Sequence, residues 1–421
     1  MSDPLLRGIK VLDLSRVLAG PWATQLLADY GAEVIKVEHP QRGDDTRAWG
    51  PPYLRDAEGR PTTESAYFLS ANRGKRSLSL NLAKPEGQAI VRRLASEADV
   101  LVENFKVGAL ARYGLDFASL SALNPRLIYC SITGFGQSGP DAHRSGYDAM
   151  IQAMGGLMSL TGIAEGEPGA GPLKVGVAVA DLMCGMYANS AILAALHARA
   201  QHGRGCHLDL SLLDTQVAWL ANQAQNYLLS GENPERRGSA HPNIVPYQSF
   251  ATADGHIMLA VGNDHQFTRL CHCCDRPELA SDPRFARNPD RVRHRSELLT
   301  LLEPLFAART LDQWLQQLGD AGVPCGPINT LDRVFAEPQV IARELRRELD
   351  HPLNPAMPSV ACPLRVDGSS LSSARPPPLL GQHNREILGE LGYTEAEQQA
   401  LQQAGTVGPE PAVTREPLHR S

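Results

Sequence analysis

The amino-acid sequence predicts an α/β fold: a large domain on a mostly parallel sheet, with a smaller α+β domain beside it in the chain. Three observations carry this reading. Short apolar runs alternate with amphipathic, helix-length stretches as far as Thr133, the pattern of strand–helix–strand crossovers. A polar, Pro- and Gly-rich stretch from Glu232 to Gln248 breaks the alternation and leads into a hairpin-like segment, as a linker into a second unit would. The chain has 421 residues of which 43% are hydrophobic, enough to bury more than one core.

The elements follow in order. "IKVLDL" (Ile9 to Leu14) reads as a buried strand, Pro21 suits the first turn of a helix through "WATQLLADY", Gly31 ends it, and Glu33 to Glu38 is a second strand. "RSLSLNL" (Arg76 to Leu82), the helix "PEGQAIVRRLASEA", "DVLVENF" (Asp99 to Phe105) and "RLIYCSIT" (Arg126 to Thr133) continue the pattern. Val175 to Ala180 alternates like a strand and precedes the helix "LMCGMYANSAILAALHARAQ"; "CHLDLSL" and the long helix "LDTQVAWLANQAQNYLLSG" complete the first part. Beyond the linker, "SFATADGHIMLAV" turns at Asp254-Gly255, and helical segments run to about Leu331. The expected organisation is 1–231 for the first part of the large domain, 232–331 for the small one, 332–404 for a returning segment, and a frayed tail over 405–421.

Composition excludes several function classes. A net charge of −6 with mixed signs offers no general attraction for nucleic acid or anionic membrane. No apolar run approaches the ~18 residues of a membrane span, and the first strand comes too early for a leader peptide; a cytoplasmic location is expected. Eight scattered cysteines suit a reducing compartment. "CHCCD" (Cys271 to Asp275) lacks the second ligand pair a zinc site needs, so no metal is expected. The first turn, "SRVLAGPWA", carries one glycine where a dinucleotide-binding fingerprint has three, which argues against NAD despite Glu38 at the end of the second strand.

Asp181 is the residue with the most chemical promise. An acid at a strand–helix junction commonly caps the helix. The same place equips a carboxylate for nucleophilic attack, because helix amides and dipole favour the anion and small neighbours admit a substrate. Local sequence leaves both readings open. Cys184, one turn on, competes as a thiolate but has no assignable partner. His143, His241 and His383 lie in Gly/Pro-rich loops. Arg73, Lys75, Arg76, Lys106 and Arg112 recur near strand ends and suggest a phosphate-bearing ligand.

Several segments together resemble a known family: "GIKVLDLSRVLAGPWATQLLADYGAEVIKVEHPQRGDDTRAWGPP", "NRGKRSLSLNL", "LVENFKVGAL", "GYDAMIQAMGGLMSLTG", "VAVADLMCGMYA", "GVPCGPIN" and "PPPLLGQH" are similar to the class III CoA-transferases. The likeness runs from about Leu6 to Leu401. Through "SGYDAM", "AHPNIVPYQSF" and "RPPPLLGQH" it points to the succinate/glutarate type, which moves CoA between dicarboxylic acids. The resemblance implies that Asp181 is the nucleophile and that Tyr147 and Asp148 are its active-site neighbours. It places CoA contacts on Leu18, Ala19, His39, Leu80, Asn81, Asn104, Phe105, Lys106 and Arg112. It also implies a Rossmann-like large domain and an interlocked homodimer. No tightly bound cofactor is implied; a CoA thioester is the substrate, succinyl-CoA the expected donor and glutarate or a close relative the expected acceptor.

Leu18 stands where formyl-CoA transferase has glutamine, and that enzyme's glycine-rich flap is replaced by "SAHPNIVPYQ", which speaks against oxalate. The related α-methylacyl-CoA racemases have histidine at the position of Tyr147; tyrosine, with a reference pKa of about 10, is a poor proton shuttle near neutrality. Racemisation and non-catalytic thioester binding remain the alternatives. The loop Thr161 to Pro172 is a candidate lid, and His39, Arg47, His241 and Tyr247 are candidates for the acceptor's second carboxylate.

Overall fold

The computed structural model describes residues 4–411; residues 1–3 and 412–421, with most of the expected tail, lie outside them. The chain divides into two compact units. The larger comprises the chain up to Leu157, Val175–Ser230 and the chain from Gln339; the smaller comprises Met158–Lys174 and Gly231–Pro338. Residues 158–174, read from sequence as part of the large domain, group with the smaller unit, and the return begins near 339 rather than 332.

The larger unit holds six strands: β1 (Lys10–Asp13), β2 (Glu33–Glu38), β3 (Lys75–Ser79), β4 (Val100–Glu103), β5 (Ile128–Thr133) and β6 (His207–Ser211). They lie in the order β3-β2-β1-β4-β5-β6, every pair parallel. This is the strand order of dinucleotide-binding folds. Both faces are covered because adjacent residues of a strand point opposite ways. Val11 packs with helix α1 (Ala19–Asp29) on one side, while Leu12 packs with α2 (Pro85–Glu97) on the other. Chain direction across the sheet reverses between β1 and β4, and the loops that follow these strands part there.

Two expected elements differ. Val175 to Ala180 is not a strand: the chain is irregular up to Ala178, and a helix begins at Val179 and runs to His202. Among the described residues this helix alone is long and apolar enough to cross a membrane, yet Cys184, Ala188 and Ile192 are buried in the sheet's core. The stretch after β6 is two helices, Leu212–Ala218 and Ala221–Ser230, divided where Ala221 takes a φ of 49°.

The free edge of β3 is covered by residues between His383 and Gly408. Ser77 N donates to His383 Nδ1, Ser79 N to Asn384 Oδ1, and Gly408 N to Ser79 O. Leu80 bridges Val407, which is 4% exposed. The expected fraying from Gly405 is therefore corrected for the described part of the tail: a strand edge leaves backbone groups unpaired, and these residues satisfy them. His383, a functional candidate by sequence, is a structural group; burial lowers its ring to about 4 and keeps it neutral.

In the smaller unit an antiparallel sheet of Tyr247–Ala251, His256–Ala260 and Cys325–Pro327 packs on helices around Phe250, Phe306 and Trp314. Cys271, Cys273 and Cys274 belong to this core, and burial pushes the thiols of Cys271 and Cys274 up to about 12. Among the described residues no cluster of three potential metal ligands exists. Thr161 to Pro172, the candidate lid, contains a short hairpin of Gly162–Ile163 and Gly171–Pro172.

Candidate active site

The loop after β1 is held from below by charge. Asp13, Lys36 and Lys75 are fully buried. Lys75 Nζ lies 3.0 Å from Asp13 Oδ2, and Lys36 Nζ lies 2.9 Å from Asp44 Oδ2. Burial pushes the Asp13 carboxyl up, but the ammonium groups of Lys75 and Lys36 outweigh it and hold it at about 2. Lys36 also donates to Ser15 O, and Ser15 N donates to Asp13 Oδ1. Asn104, just beyond β4, accepts from Arg16 N at 2.9 Å and donates to Arg16 O at 2.7 Å. Val17, whose amide donates to Asp44, sits at a φ of 70°. A β-branched residue adopts that conformation only when its surroundings enforce it. Fixed side-chain partners thus do the work that glycines do in a dinucleotide loop.

The second wall comes from β5 and the chain after it. Gly134 and Gly146 meet backbone to backbone; a Cβ on Gly146 would lie 2.4 Å from Gly134 Cα. That approach brings Tyr147 and helix α3 (Asp148–Met154) to the head of the helix that carries Asp181, α4 (Val179–His202). Asp148 Oδ1 accepts from Ala180 N at 2.8 Å, so α3 supplies the cap that α4 lacks. Gln152 ties the junction, donating to Asp148 Oδ2 and accepting from Val175 N. Gly185 lets α4 reach α1: a Cβ there would lie 2.6 Å from Ala19 O. The small residue is needed for helix contact rather than for substrate access.

Asp181 is therefore not the cap of its own helix; it sits in the first turn, two residues inside Val179. It lines a cleft of about 230 Å³ at the divergence of β1 and β4, together with Arg16 to Ala19, Asn104 to Val107, Ile132 to Gly134 and Tyr147. Clefts at the carboxyl ends of parallel strands, where strand order reverses, are the ligand sites of open α/β sheets. Burial, and next the charge of Asp148, raise the Asp181 carboxyl to about 7. The expectation that helix amides keep it fully ionised is thus corrected: Ala180 N is taken by Asp148, and Val179 N and Leu182 N bond to Val177 O and Ala178 O. Cys184 is fully buried with its thiol raised to about 12 by burial, which removes it as a nucleophile.

Most of the chain has counterparts. The CoA-transferase family III model matches residues 6–384. The chain belongs to the CoA-transferase family III. The succinate–glutarate CoA-transferase of Agrobacterium fabrum is 51% identical over 392 residues, 93% of this chain and 97% of that protein. The human succinyl-CoA:glutarate CoA-transferase is 45% identical over 403 residues, 96% of this chain and 90% of the other. Among solved structures, a CAIB/BAIF family protein from Brucella suis superposes with a TM-score of 0.81 at 49% identity, covering 93% of this chain and all of that one.

Of the residues singled out by resemblance, Leu18, Ala19, Asn104, Phe105, Lys106, Tyr147 and Asp181 share the cleft of this family III transferase. Asp148 stands behind it as a cap. His39, Leu80 and Asn81 follow β2 and β3 along the same sheet edge, outside the cleft lining, and Leu80 is buried in the core. Arg112 is exposed over the Tyr113 ring. Three basic candidates are engaged internally: Arg73 with Asp29, Lys75 with Asp13, and Arg76 with Glu33, Glu386 and Glu390. Arg47 is saturated by Glu38 and Glu64 and offers nothing to an acceptor. His143 is exposed outside the lining, and His241 and Tyr247 belong to the smaller unit. Sequence reasoning missed Arg16, Arg144 and Tyr67. The phenol of Tyr67 is raised to about 12 by burial and by the nearby Asp181 and Asp148 carboxylates; no local pattern in "SAYFLSAN" marks it.

Proposed function

We propose that the chain transfers CoA from succinyl-CoA to glutarate or a close dicarboxylate, with Asp181 as the covalent carrier. The observation that carries this is the Asp181 carboxylate, without a cation paired to it among the described residues, in the cleft at the divergence of β1 and β4, where the other lining carboxylate, Asp45, is paired with Arg16, in a chain 51% identical to a succinate–glutarate CoA-transferase. The Asp181 carboxylate attacks the thioester carbonyl; the C–S bond breaks and leaves a mixed anhydride and CoA thiolate. The thiolate attacks the Asp181 carbonyl, giving an aspartyl-CoA thioester and the free donor acid. The acceptor carboxylate attacks that thioester, and the returning thiolate resolves the second anhydride to the new acyl-CoA and free Asp181. No proton is transferred in any of these steps, so no general base is needed. Water must be kept from both intermediates, which favours the fixed walls described above.

Asp181→Asn is expected to lower transfer by more than about 1,000-fold with the fold intact. Mass spectrometry after incubation with succinyl-CoA and hydroxylamine should find the adduct on Asp181. Undiminished transfer by the folded variant would remove the carrier from the mechanism. A panel of dicarboxylates offered with succinyl-CoA ranks the acceptors.

The same reading includes an interlocked homodimer, a cytoplasmic location and no resident cofactor or metal. Leu228 and Leu229, 73% and 80% exposed on one helix, favour a partner surface, and eight unpaired thiols suit a reducing compartment. Light scattering at twice the mass of one chain is the expected result.

A further inference from the structure

We propose that Arg16 receives the remote carboxylate of the acyl group and thereby sets the preference for dicarboxylates over monocarboxylates. The proposal rests on the dicarboxylate-transfer reading above and names the residue that reading lacks.

Arg16 lines the cleft that holds Asp181. Its backbone is clamped on both sides by Asn104, and its guanidinium lies 5.5 Å from the Phe105 ring centre. The side chain makes one ion pair, Nη1 to Asp45 Oδ2 at 3.0 Å. Among the described residues Nε is buried with no acceptor, and no hydrogen bond engages Nη2. Nε and Nη2 form the edge of the fork that takes a carboxylate through two parallel bonds. A buried donor without an acceptor is costly and calls for an explanation; a ligand carboxylate that displaces the cover over Nε and bonds this edge supplies one.

The other cations of the cleft are less suited. Arg144 donates to Asp141 through Nη1 and to the Met154 sulfur through Nη2, and covers the Phe135 ring. Lys106 is an exposed point charge, fitted to attract phosphate rather than to orient a planar carboxylate. Asp45 bonds Nη1 and so leaves the Nε–Nη2 edge without a partner, while its charge offsets part of that of the guanidinium.

The test compares glutarate with valerate, an acceptor of the same length without the second carboxylate, at saturating succinyl-CoA. In a two-stage reaction with a covalent carrier, kcat/KM for the acceptor reports only the second stage, so any effect on the donor drops out. Loss of a paired, charge-assisted contact predicts that Arg16→Gln lowers kcat/KM for glutarate by about tenfold to hundredfold, with valerate changed by less than about threefold. Arg16→Lys, which keeps the charge without the fork, should recover part of the glutarate rate. Far-ultraviolet circular dichroism verifies that each variant is folded. An unchanged glutarate-to-valerate ratio, or an equal fall for both acceptors, overturns the assignment of Arg16. Absence of transfer to glutarate by the unaltered protein overturns the dicarboxylate reading itself, and the two failures are told apart by which protein shows them.

Discussion

At the scale of single residues, Asp181 faces two opposed demands. It must be ionised to attack, yet burial and the neighbouring Asp148 raise its carboxyl to about 7. The rate of thiolate release in a first turnover should therefore rise about tenfold per unit as pH increases below 7, and level off above it; a stopped-flow pH profile checks this. Asp148→Asn removes a raising charge, so the same profile should move to lower pH. The sign for stability is the reverse of the usual carboxylate case. Between about pH 4 and 7 the folded state holds a proton that the unfolded chain has released, so the ionised Asp181 destabilises the fold increasingly through that window. Asp181→Asn should accordingly be more stable than the unaltered protein at pH 8, by about 1–2 kcal/mol for a half-buried group. The difference should vanish near pH 4, as thermal melts at the two pH values would reveal.

Among the elements, the site depends on glycines whose role is contact. Gly185 separates α1 from α4 by less than a Cβ allows. Gly185→Ala should cost about 1–3 kcal/mol through overpacking, and should lower kcat more than it raises KM, because it displaces the turn that carries Asp181; denaturant midpoints and steady-state kinetics separate the two effects. The strands and helices themselves were legible in sequence. All six strands of the larger unit were anticipated within two or three residues, because buried parallel strands read as apolar runs and the helices between them as 3.6-residue periodicity. The stretch before Asp181 misled for a physical reason: Val175 to Ala180 alternates as a strand does, but Asp148 and Gln152 bond its backbone where a neighbouring strand would. The break at Ala221 had no signal, since alanine favours helix, and nothing in the structure explains the positive φ of this exposed residue.

Over the whole molecule, the order of strands places the cleft, and His383, Asn384, Val407 and Gly408 seal the edge of the sheet. Ending the chain at Gln403 would strip Thr406 to Gly408 from β3 and uncover Leu80. Such a truncation should melt at least several degrees lower and aggregate through the freed edge, which calorimetry and light scattering would detect. What the amino-acid sequence determined by itself was periodicity and chemical type: an α/β sheet, a second unit, and one acid at a helix start matched to a known family. Those are local properties, written in neighbouring residues. Only the tertiary structure decided which charges are free. Arg73, Lys75, Arg76 and Arg47 look like anion ligands in the linear text, but each meets a carboxylate distant along the chain or on another element. Arg16, unremarkable in sequence, keeps an unpaired edge because Asn104 holds its backbone and Asp45 takes only Nη1. Pairing is a property of space, and a buried charge is compensated by whatever the fold brings beside it.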